Sequence, residues 1–356
     1  MSNITKLARK AVQALTPYLS ARRIGGNGNI WLNANEAPDC SEYQLDSSKL
    51  NRYPEFQPPE LINAYADYAS VKNTQVLSSR GADESIEVLI RTFCEPDADS
   101  ILICPPTYGM YAISAETCGV KVQEVALQDN YDVDYQAVER TVCAVDSTVK
   151  IVFLCAPNNP TGNMLDRQKL IQLLEATQGK ALIVADEAYI EFSPELTQVA
   201  LIAKHENLVI TRTLSKAFAL ASIRCGFTLA QASVIGMLSK VIAPYPVPAP
   251  VAQIATQALS TKGLATMRSR VETLNNNRQL LQDELRKLAC VVEVFQTTGN
   301  FVLVRFKDSA KVFNAFANDG IVMRDFANKK RLENCIRITI GTEAEMSATL
   351  TTLKSL

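Results

Sequence analysis

Short apolar runs alternate with stretches of helical periodicity between about residues 60 and 240, and this alternation most constrains the fold. The apolar runs are continuous and rich in β-branched residues, at 100–104, 149–155, 181–185 and 208–211. Such runs are typical of strands buried on both faces of a parallel sheet. Between them, segments such as 60–69, 83–93 and 167–176 place apolar residues at helical spacing. The pattern predicts an α/β fold, a large mostly parallel sheet with helices on both faces.

Four alternate prolines, at positions 244, 246, 248 and 250, predict the end of this large domain. A long amphipathic stretch follows at 251–288, then short strands near 291–295, 301–305, 321–324 and 335–340, and a helix from Thr342. At the other end, a helix around 4–15 and a glycine-rich loop precede an apolar strand at 30–32. We therefore expect an N-terminal arm (1–30) that joins a small α/β domain (244–356), and a large domain (31–243).

Composition excludes several classes of function. The 36 basic and 37 acidic residues nearly balance, which gives no support to nucleic-acid binding. The single histidine, His205, lies in a polar stretch, so a histidine-based catalytic triad or metal site is not expected. Nine cysteines without any C-x-x-C pair favour reduced core residues and a cytoplasmic protein rather than a zinc site. No apolar run reaches 18 residues, so no membrane helix is predicted.

Polar residues follow four of the predicted strands, where open α/β sheets bind their ligands. They are Tyr108 after the first run, Asn158 and Asn159 after the second, Asp186 to Tyr189 after the third, and Ser215 and Lys216 after the fourth. Because parallel strands end at one edge of the sheet, we expect these side chains to converge there.

The chemistry of these residues points to one cofactor. Lys216 precedes an apolar stretch, and a lysine that loses its hydration can form a Schiff base. Asp186 could pair with a cationic ring nitrogen, although a helix cap or an ion pair is the commoner role of such an acid. The sequence Gly81-Ala82-Asp83 opens a predicted helix whose N-terminus suits a phosphate, with Ser215 and Arg224 as further donors. Together they describe a pyridoxal phosphate site.

The chain also resembles a known family. Asn158-Asn159-Pro160-Thr161-Gly162, Asp186-Glu187-Ala188-Tyr189 and Ser215-Lys216-Ala217-Phe218 resemble, in the same order, the signatures of fold-type-I aminotransferases. Leu32-Asn33-Ala34-Asn35-Glu36, Asn51-Arg52-Tyr53-Pro54, Arg80-Gly81-Ala82-Asp83-Glu84 and Thr213-Leu214-Ser215-Lys216 are similar to the histidinol-phosphate aminotransferase branch. The resemblance covers essentially the whole chain.

For the cofactor, the resemblance implies that Lys216 holds pyridoxal 5′-phosphate as an aldimine and then shuttles a proton. Asp186 would keep the pyridine nitrogen protonated, Asn159 and Tyr189 would bind the phenolic oxygen, and Tyr108 would stack on the ring. The remaining implied contacts are to the phosphate: the backbone of Ala82 and Asp83, the side chains of Ser215 and Arg224, and Tyr53 from the neighbouring subunit of a homodimer.

For the substrates, the resemblance implies that Arg337, Arg324 and Tyr18 bind the phosphate of histidinol phosphate, and that Arg337 binds the glutamate carboxylate. Asn159 would contribute to this substrate site. A solvent-facing strand arginine is the alternative interpretation of Arg337, which alternates with isoleucines.

The expected reaction interconverts histidinol phosphate and 2-oxoglutarate with imidazole acetol phosphate and glutamate, in histidine biosynthesis. Alternatives on the same fold are an aromatic transaminase and a decarboxylase of a phosphorylated amino acid. A non-catalytic regulator would need a DNA-binding segment that the chain lacks, and a nicotinamide dehydrogenase would need a Gly-rich fingerprint that is missing.

Overall fold

The computed structural model describes residues 3–15 and 27–356. Its strands are β1 (Ile30–Trp31), β2 (Val76–Ser79), β3 (Ser100–Ile103), β4 (Lys121–Glu124), β5 (Val149–Cys155), β6 (Leu182–Asp186), β7 (Leu208–Thr213), β8 (Gly226–Leu229), β9 (Val291–Val294), β10 (Phe301–Phe306), β11 (Ile321–Val322), β12 (Arg324–Asp325) and β13 (Cys335–Thr339). Its α-helices are α1 (Lys10–Ala14), α2 (Pro59–Ala69), α3 (Ala82–Phe93), α4 (Met110–Cys118), α5 (Tyr135–Cys143), α6 (Arg167–Ala176), α7 (Ala232–Leu238), α8 (Ala249–Ala258), α9 (Thr261–Leu285), α10 (Ser309–Asn318) and α11 (Glu343–Lys354). None of these helices is long and apolar enough to cross a membrane.

The large sheet has the strand order β2-β8-β7-β6-β5-β3-β4. Strands β7, β6, β5, β3 and β4 run parallel, whereas β8 lies antiparallel between β2 and β7. Side chains of β5 alternate between two buried clusters: Val152 and Leu154 face one, Ile151 and Phe153 the other. The structure thus confirms the mostly parallel sheet covered on both faces.

A second, antiparallel sheet has the order β12-β13-β10-β9, and helices α9, α10 and α11 pack around this part of the chain. Strand β1 pairs parallel with β11, so the N-terminal strand lies with the C-terminal region. Helix α8, which has the last of the four prolines as its second residue, packs against α2. The division of the chain at residues 30/31 and 243/244 stays a prediction.

Two segments singled out in the sequence are divided in the structure. The amphipathic stretch 251–288 is divided between α8 and α9, because the chain turns at Ser260, whose hydroxyl caps α9 by accepting a hydrogen bond from the Gly263 N–H at 3.2 Å. The predicted helix at 4–15 is a 3-10 helix at Asn3–Leu7 followed by the five-residue α1. Helix α1 buries no residue, so tertiary packing does little to extend it.

The first residue of β8 contacts the N-terminus of α3. A Cβ atom at Gly226 would lie 2.4 Å from the carbonyl carbon of Gly81 and 2.5 Å from the nitrogen of Ala82. Only glycine lets the two backbones approach this closely. This contact fixes the start of α3 beside the turn that follows β7.

We expect Gly226→Ala to destabilise the protein by about 1–3 kcal/mol, because the methyl group must push the start of α3 away from β8. The midpoint of thermal unfolding should fall. Gly236→Ala is the matched control: Gly236 is an exposed residue of α7, and a Cβ there would meet no atom within 4 Å. This control should leave the midpoint unchanged or raise it. Equal midpoints for the two variants would contradict the close approach.

Candidate active site

The carboxyl ends of β3, β5, β6 and β7 lie side by side, since these strands are parallel neighbours. Tyr108, Asn159, Asp186 and Lys216 follow or end these strands, as the sequence predicted. The segment around Ala34 crosses the same edge and contacts Lys216. The edge of the large sheet therefore forms a site that the N-terminal and C-terminal parts of the chain complete.

Lys216 lies in the turn after β7. Its Nζ donates a hydrogen bond to the carbonyl oxygen of Ala34 at 2.9 Å and lies 5.7 Å from the centre of the Tyr189 ring. Burial, and to a smaller extent the positive charge of Arg337, lowers the pKa of Lys216 to about 8. A substantial fraction of the amine is therefore neutral near pH 8, which is the form that reacts with an aldehyde.

Asp186 ends β6 and is almost completely buried. Its Oδ2 accepts a hydrogen bond from the Tyr111 hydroxyl at 2.6 Å, and its Oδ1 accepts one from the Ala188 N–H at 3.2 Å. Burial raises the pKa of Asp186 to about 6. A carboxylate held in so dry a place is suited to a cationic partner. Tyr111, three residues after Tyr108, was not among the residues predicted for the site.

An anion cradle lies at the N-terminus of α3. Gly81 precedes the helix with a left-handed φ of 78°, and a Cβ there would lie 2.8 Å from Nη2 of Arg224. Nη1 of Arg224 donates to the Ser215 hydroxyl oxygen at 3.4 Å. The helix N-terminus, the hydroxyl and the guanidinium thus meet, as the sequence predicted, with donors suited to a phosphate.

The Asp83 side chain orients two neighbours of this cradle. Its Oδ2 accepts a hydrogen bond from Arg224 Nη2 at 3.1 Å, and its Oδ1 accepts one from the Tyr108 hydroxyl at 3.0 Å. Only the backbone of Asp83 was predicted to take part in the site. The structure adds that its carboxylate connects the arginine of the cradle to the aromatic ring beside it.

The Tyr189 hydroxyl accepts hydrogen bonds from two side-chain amides, Asn35 at 3.1 Å and Asn159 at 3.4 Å. The Asn159 carbonyl oxygen accepts in turn from Nη1 of Arg337 at 2.6 Å. Asn35 belongs to the motif Leu32-Asn33-Ala34-Asn35-Glu36, but no role was predicted for it. The structure brings it into the centre of the site.

Arg337 and Arg324 are directly opposite each other on β13 and β12. Arg337 is 6% exposed, so the solvent-facing alternative for this residue is wrong. Both guanidiniums lie over the Phe326 ring, at 5.5 Å for Arg337 and 6.0 Å for Arg324. Among the residues that the structure describes, Nη1 of Arg324 is buried without a hydrogen-bond partner. Two cations on one ring form a site for an anion.

Two predicted site residues are not seen in the site. Tyr18 is outside the described residues, so its predicted role is not tested. Tyr53 is 82% exposed, and its ring stacks on Tyr245 with 4.6 Å between the ring centres. No hydrogen bond joins Tyr53 to Ser215 or Arg224 within the described part of the chain.

Comparison with known proteins identifies the fold and the family. The profile of the family "Aminotransferase class I and II" matches residues 29–353. The chain is 59% identical to the histidinol-phosphate aminotransferase of Aeromonas salmonicida over 352 residues, 99% of this chain and 98% of that protein. It is 56% identical to the enzyme of the same name from Aliivibrio fischeri, over 97% of both chains. The chain belongs to the histidinol-phosphate aminotransferase branch of this family.

Solved structures agree in fold with this aminotransferase. The histidinol-phosphate aminotransferase of Sinorhizobium meliloti, solved in complex with pyridoxal-5′-phosphate, superposes with a TM-score of 0.85 at 20% identity, covering 98% of both chains. That of Clostridium acetobutylicum gives a TM-score of 0.82 at 25% identity, covering 92% of this chain and 98% of its own.

The site of this aminotransferase has a group for each charged end of pyridoxal phosphate. The cradle offers hydrogen-bond donors around Gly81, where a Cβ atom would occupy the space beside Arg224. Asp186 offers a buried carboxylate, and Lys216 an amine with a lowered pKa. The donor set therefore matches a ligand with a phosphate, a basic ring nitrogen and an aldehyde.

The lowered pKa of Lys216 predicts how stability varies with pH in the cofactor-free protein. Between about pH 8 and the unfolded-state value of 10.5, the unfolded chain binds more protons at Lys216, so stability rises with pH in this window. Below pH 8 the buried charge destabilises the folded state. We expect Lys216→Met to raise the free energy of unfolding at pH 7 by about 1–3 kcal/mol, a gain that shrinks by pH 10.

Lys262→Met is the control, because Lys262 is exposed in the first turn of α9. It should change the free energy of unfolding by less than about 0.5 kcal/mol at either pH. Denaturant titration of both cofactor-free variants measures the difference. A pH-independent effect of Lys216→Met would show that Lys216 is as solvated in the folded protein as in the unfolded chain.

Proposed function

We propose that the protein is a pyridoxal-phosphate-dependent transaminase that interconverts histidinol phosphate and 2-oxoglutarate with imidazole acetol phosphate and glutamate, in histidine biosynthesis. The observation that carries this proposal is the convergence of Lys216, Asp186 and the α3 cradle on one sheet edge. The substrates follow from the 59% identity to a histidinol-phosphate aminotransferase over nearly the whole chain.

The cofactor would supply an electron-accepting ring and carry the amino group between the two substrates. The N–H groups of Ala82 and Asp83, the Ser215 hydroxyl and the Arg224 guanidinium would bind its phosphate. Asp186 would face its ring nitrogen, and Tyr108 would lie against its ring. Burial of Asp186 favours this pairing, because a neighbouring cation offsets the desolvation of the carboxylate.

Lys216 moves protons. With a pKa near 8, its Nζ can release a proton at neutral pH and take up another from Cα of the amino substrate. The Ala34 carbonyl oxygen accepts from Nζ and so keeps the amine over the sheet edge while it is unbound. Asn159 and Tyr189 would bind the phenolic oxygen of the cofactor, and the Asn159 amide donates to the Tyr189 hydroxyl at 3.4 Å.

Arg337 and Arg324 bind the anionic end of each substrate, with Tyr18 as a further donor. Histidinol phosphate presents a phosphate dianion, whereas glutamate presents a carboxylate at the same end. A guanidinium can bind either anion through two parallel hydrogen bonds. The second negative charge of the phosphate is stabilised by a second cation, and Arg324, directly opposite Arg337, would be that cation.

We further propose a cytoplasmic homodimer in which Tyr53 reaches the cofactor phosphate of the neighbouring subunit. The segment 45–56 exposes Leu45, Leu50, Tyr53 and Phe56, an apolar surface that a second subunit would cover. Two glutamines of α8 hold the start of this segment: Gln257 pairs with the backbone of Gln44, and Gln253 with that of Asp46. The cysteines of the described residues are all free, which fits a reducing compartment.

The test of the function is turnover of histidinol phosphate with 2-oxoglutarate by the purified protein. We expect a visible absorption band from the bound cofactor, and borohydride should fix the cofactor on Lys216. Lys216→Ala should abolish turnover. Arg324→Ala should lower kcat/KM for histidinol phosphate by about 10- to 100-fold, because a charge-assisted hydrogen bond contributes about 1.5–3 kcal/mol. The same variant should affect glutamate less.

Phenylalanine and a phosphorylated amino acid serve as comparison substrates in this assay. Faster transamination of phenylalanine than of histidinol phosphate would assign the protein to aromatic amino acids. Release of carbon dioxide from the phosphorylated amino acid would make it a decarboxylase. A larger effect of Arg324→Ala on glutamate than on histidinol phosphate would contradict the division of labour between the two arginines.

The exchange of Tyr53 between subunits predicts complementation in a mixed dimer. Tyr53→Phe should weaken cofactor binding about 10-fold or more, through loss of one hydrogen bond to a charged group. In a dimer of one Tyr53→Phe and one Lys216→Ala subunit, the site that retains Lys216 receives an intact Tyr53 from its partner. Cofactor affinity at that site, measured by fluorescence titration, should return to the wild-type value. Affinity that stays at the Tyr53→Phe value would mean that Tyr53 does not act across the interface.

A further inference from the structure

Three consecutive residues after β1, here called the N-terminal segment (residues 33–35), each bind a different side chain of the site. The contacts are Asn33 O with Arg337 Nη2 at 2.8 Å, Ala34 O with Lys216 Nζ at 2.9 Å, and Asn35 Nδ2 with the Tyr189 hydroxyl at 3.1 Å. The first two are backbone contacts, which any residue could make. Only the third depends on the identity of a side chain.

The hydrogen bonds around Asn35 determine which way its amide faces. The Thr339 hydroxyl oxygen accepts the Asn35 backbone N–H at 3.0 Å, and this hydroxyl donates to the Asn35 Oδ1 at 3.1 Å. With Oδ1 engaged as an acceptor, the NH₂ group is the part of the amide that faces Tyr189. The Asn35 backbone is held as well, since Asn300 Nδ2 donates to its carbonyl oxygen at 3.0 Å.

The amide of Asn159 is oriented in the same manner. Arg337 can only donate, so its 2.6 Å contact must be to the Asn159 carbonyl oxygen, and the NH₂ group of Asn159 then faces Tyr189. Both amides therefore donate to the same hydroxyl oxygen. The hydroxyl proton of Tyr189 has no acceptor among the described residues, and neither amide nitrogen can take it.

We propose that Asn35 is a positioning residue for the reaction: together with Asn159 it fills the acceptor positions of the Tyr189 hydroxyl and turns the hydroxyl proton towards the phenolic oxygen of the cofactor. This inference rests on the proposed function and assigns a role to a residue outside the cofactor contacts named above. Asn35 is completely buried and has a left-handed φ of 53°, a conformation that asparagine tolerates better than most residues.

The visible absorption of the holoenzyme reports this hydrogen bond directly. The bound cofactor changes absorption when it loses the proton shared between its phenolic oxygen and the nitrogen of Lys216. A donor on the phenolic oxygen favours the form without this proton and so lowers the pH of the spectral midpoint. Asn35→Gly removes the amide and keeps the left-handed backbone without strain. We expect it to raise the midpoint by about half a pH unit to one unit.

Tyr189→Phe supplies the second arm of a double-mutant cycle. That variant should itself raise the midpoint, and adding Asn35→Gly to it should produce no further shift, because the hydroxyl is already absent. Asn35→Asp should raise the midpoint at least as much as Asn35→Gly, since a carboxylate oxygen would accept the hydroxyl proton and turn it away from the cofactor. Thermal unfolding of each holoenzyme verifies that the variants are folded.

The outcomes separate this inference from the function on which it rests. Absence of any visible band from the wild-type protein with pyridoxal phosphate would contradict the proposed function as a whole. If the wild-type protein shows the band but Asn35→Gly leaves its midpoint unchanged, the role of Asn35 alone is overturned. The same conclusion follows if Asn35→Gly shifts the midpoint equally in the wild-type and Tyr189→Phe backgrounds. A lower melting temperature with an unchanged midpoint would assign Asn35 a structural role only.

Discussion

A buried ion pair between Glu187 and Arg212 joins the ends of β6 and β7, and the site depends on it. Arg212 donates to Glu187 Oε2 through Nε at 3.0 Å and Nη2 at 2.8 Å, and the Gln198 N–H donates to Oε1 at 2.7 Å. Removing either partner would leave an uncompensated buried charge. Because Glu187 follows Asp186 and Arg212 lies four residues before Lys216, this pair fixes the separation of the carboxylate from the amine.

The N-terminal segment closes the site from the opposite side. Residues 33–35 contact Arg337, Lys216 and Tyr189, and farther along, Asp39 forms a two-bond ion pair with Arg270 of α9. Arg270 also donates to the carbonyl oxygen of Ala217, the residue after Lys216, at 3.1 Å. The segment thus connects the turn that carries Lys216 to the C-terminal part of the chain, where Arg324 and Arg337 lie.

Whether the role of a site residue could be predicted from the sequence depends on how far along the chain its partners lie. Lys216 and Asp186 could be found because parallel strands end at one edge and because their neighbours in sequence are apolar. Asn35 and Tyr111 could not be given roles, since their partners are 154 and 75 residues away and no local pattern encodes such contacts. The burial of Arg337 was equally hidden, because it depends on Asn33 and Asn159 from distant segments. The antiparallel β8 also escaped prediction: it is only four residues long, and it begins with a glycine and contains a threonine, so it forms no continuous apolar run.

The arrangement of Arg324 and Arg337 has a physical consequence for specificity. Two like charges directly opposite on adjacent strands repel each other, and this repulsion is strongest where water is scarce. Packing both guanidiniums over Phe326 offsets part of the cost through the negative face of the ring. An anion placed between them removes the remainder, and a dianion removes more than a monoanion does. In the proposed anion site, the same pair of arginines would therefore admit a carboxylate and still favour a phosphate, because the anion with the larger charge relieves more of a repulsion already present in the fold.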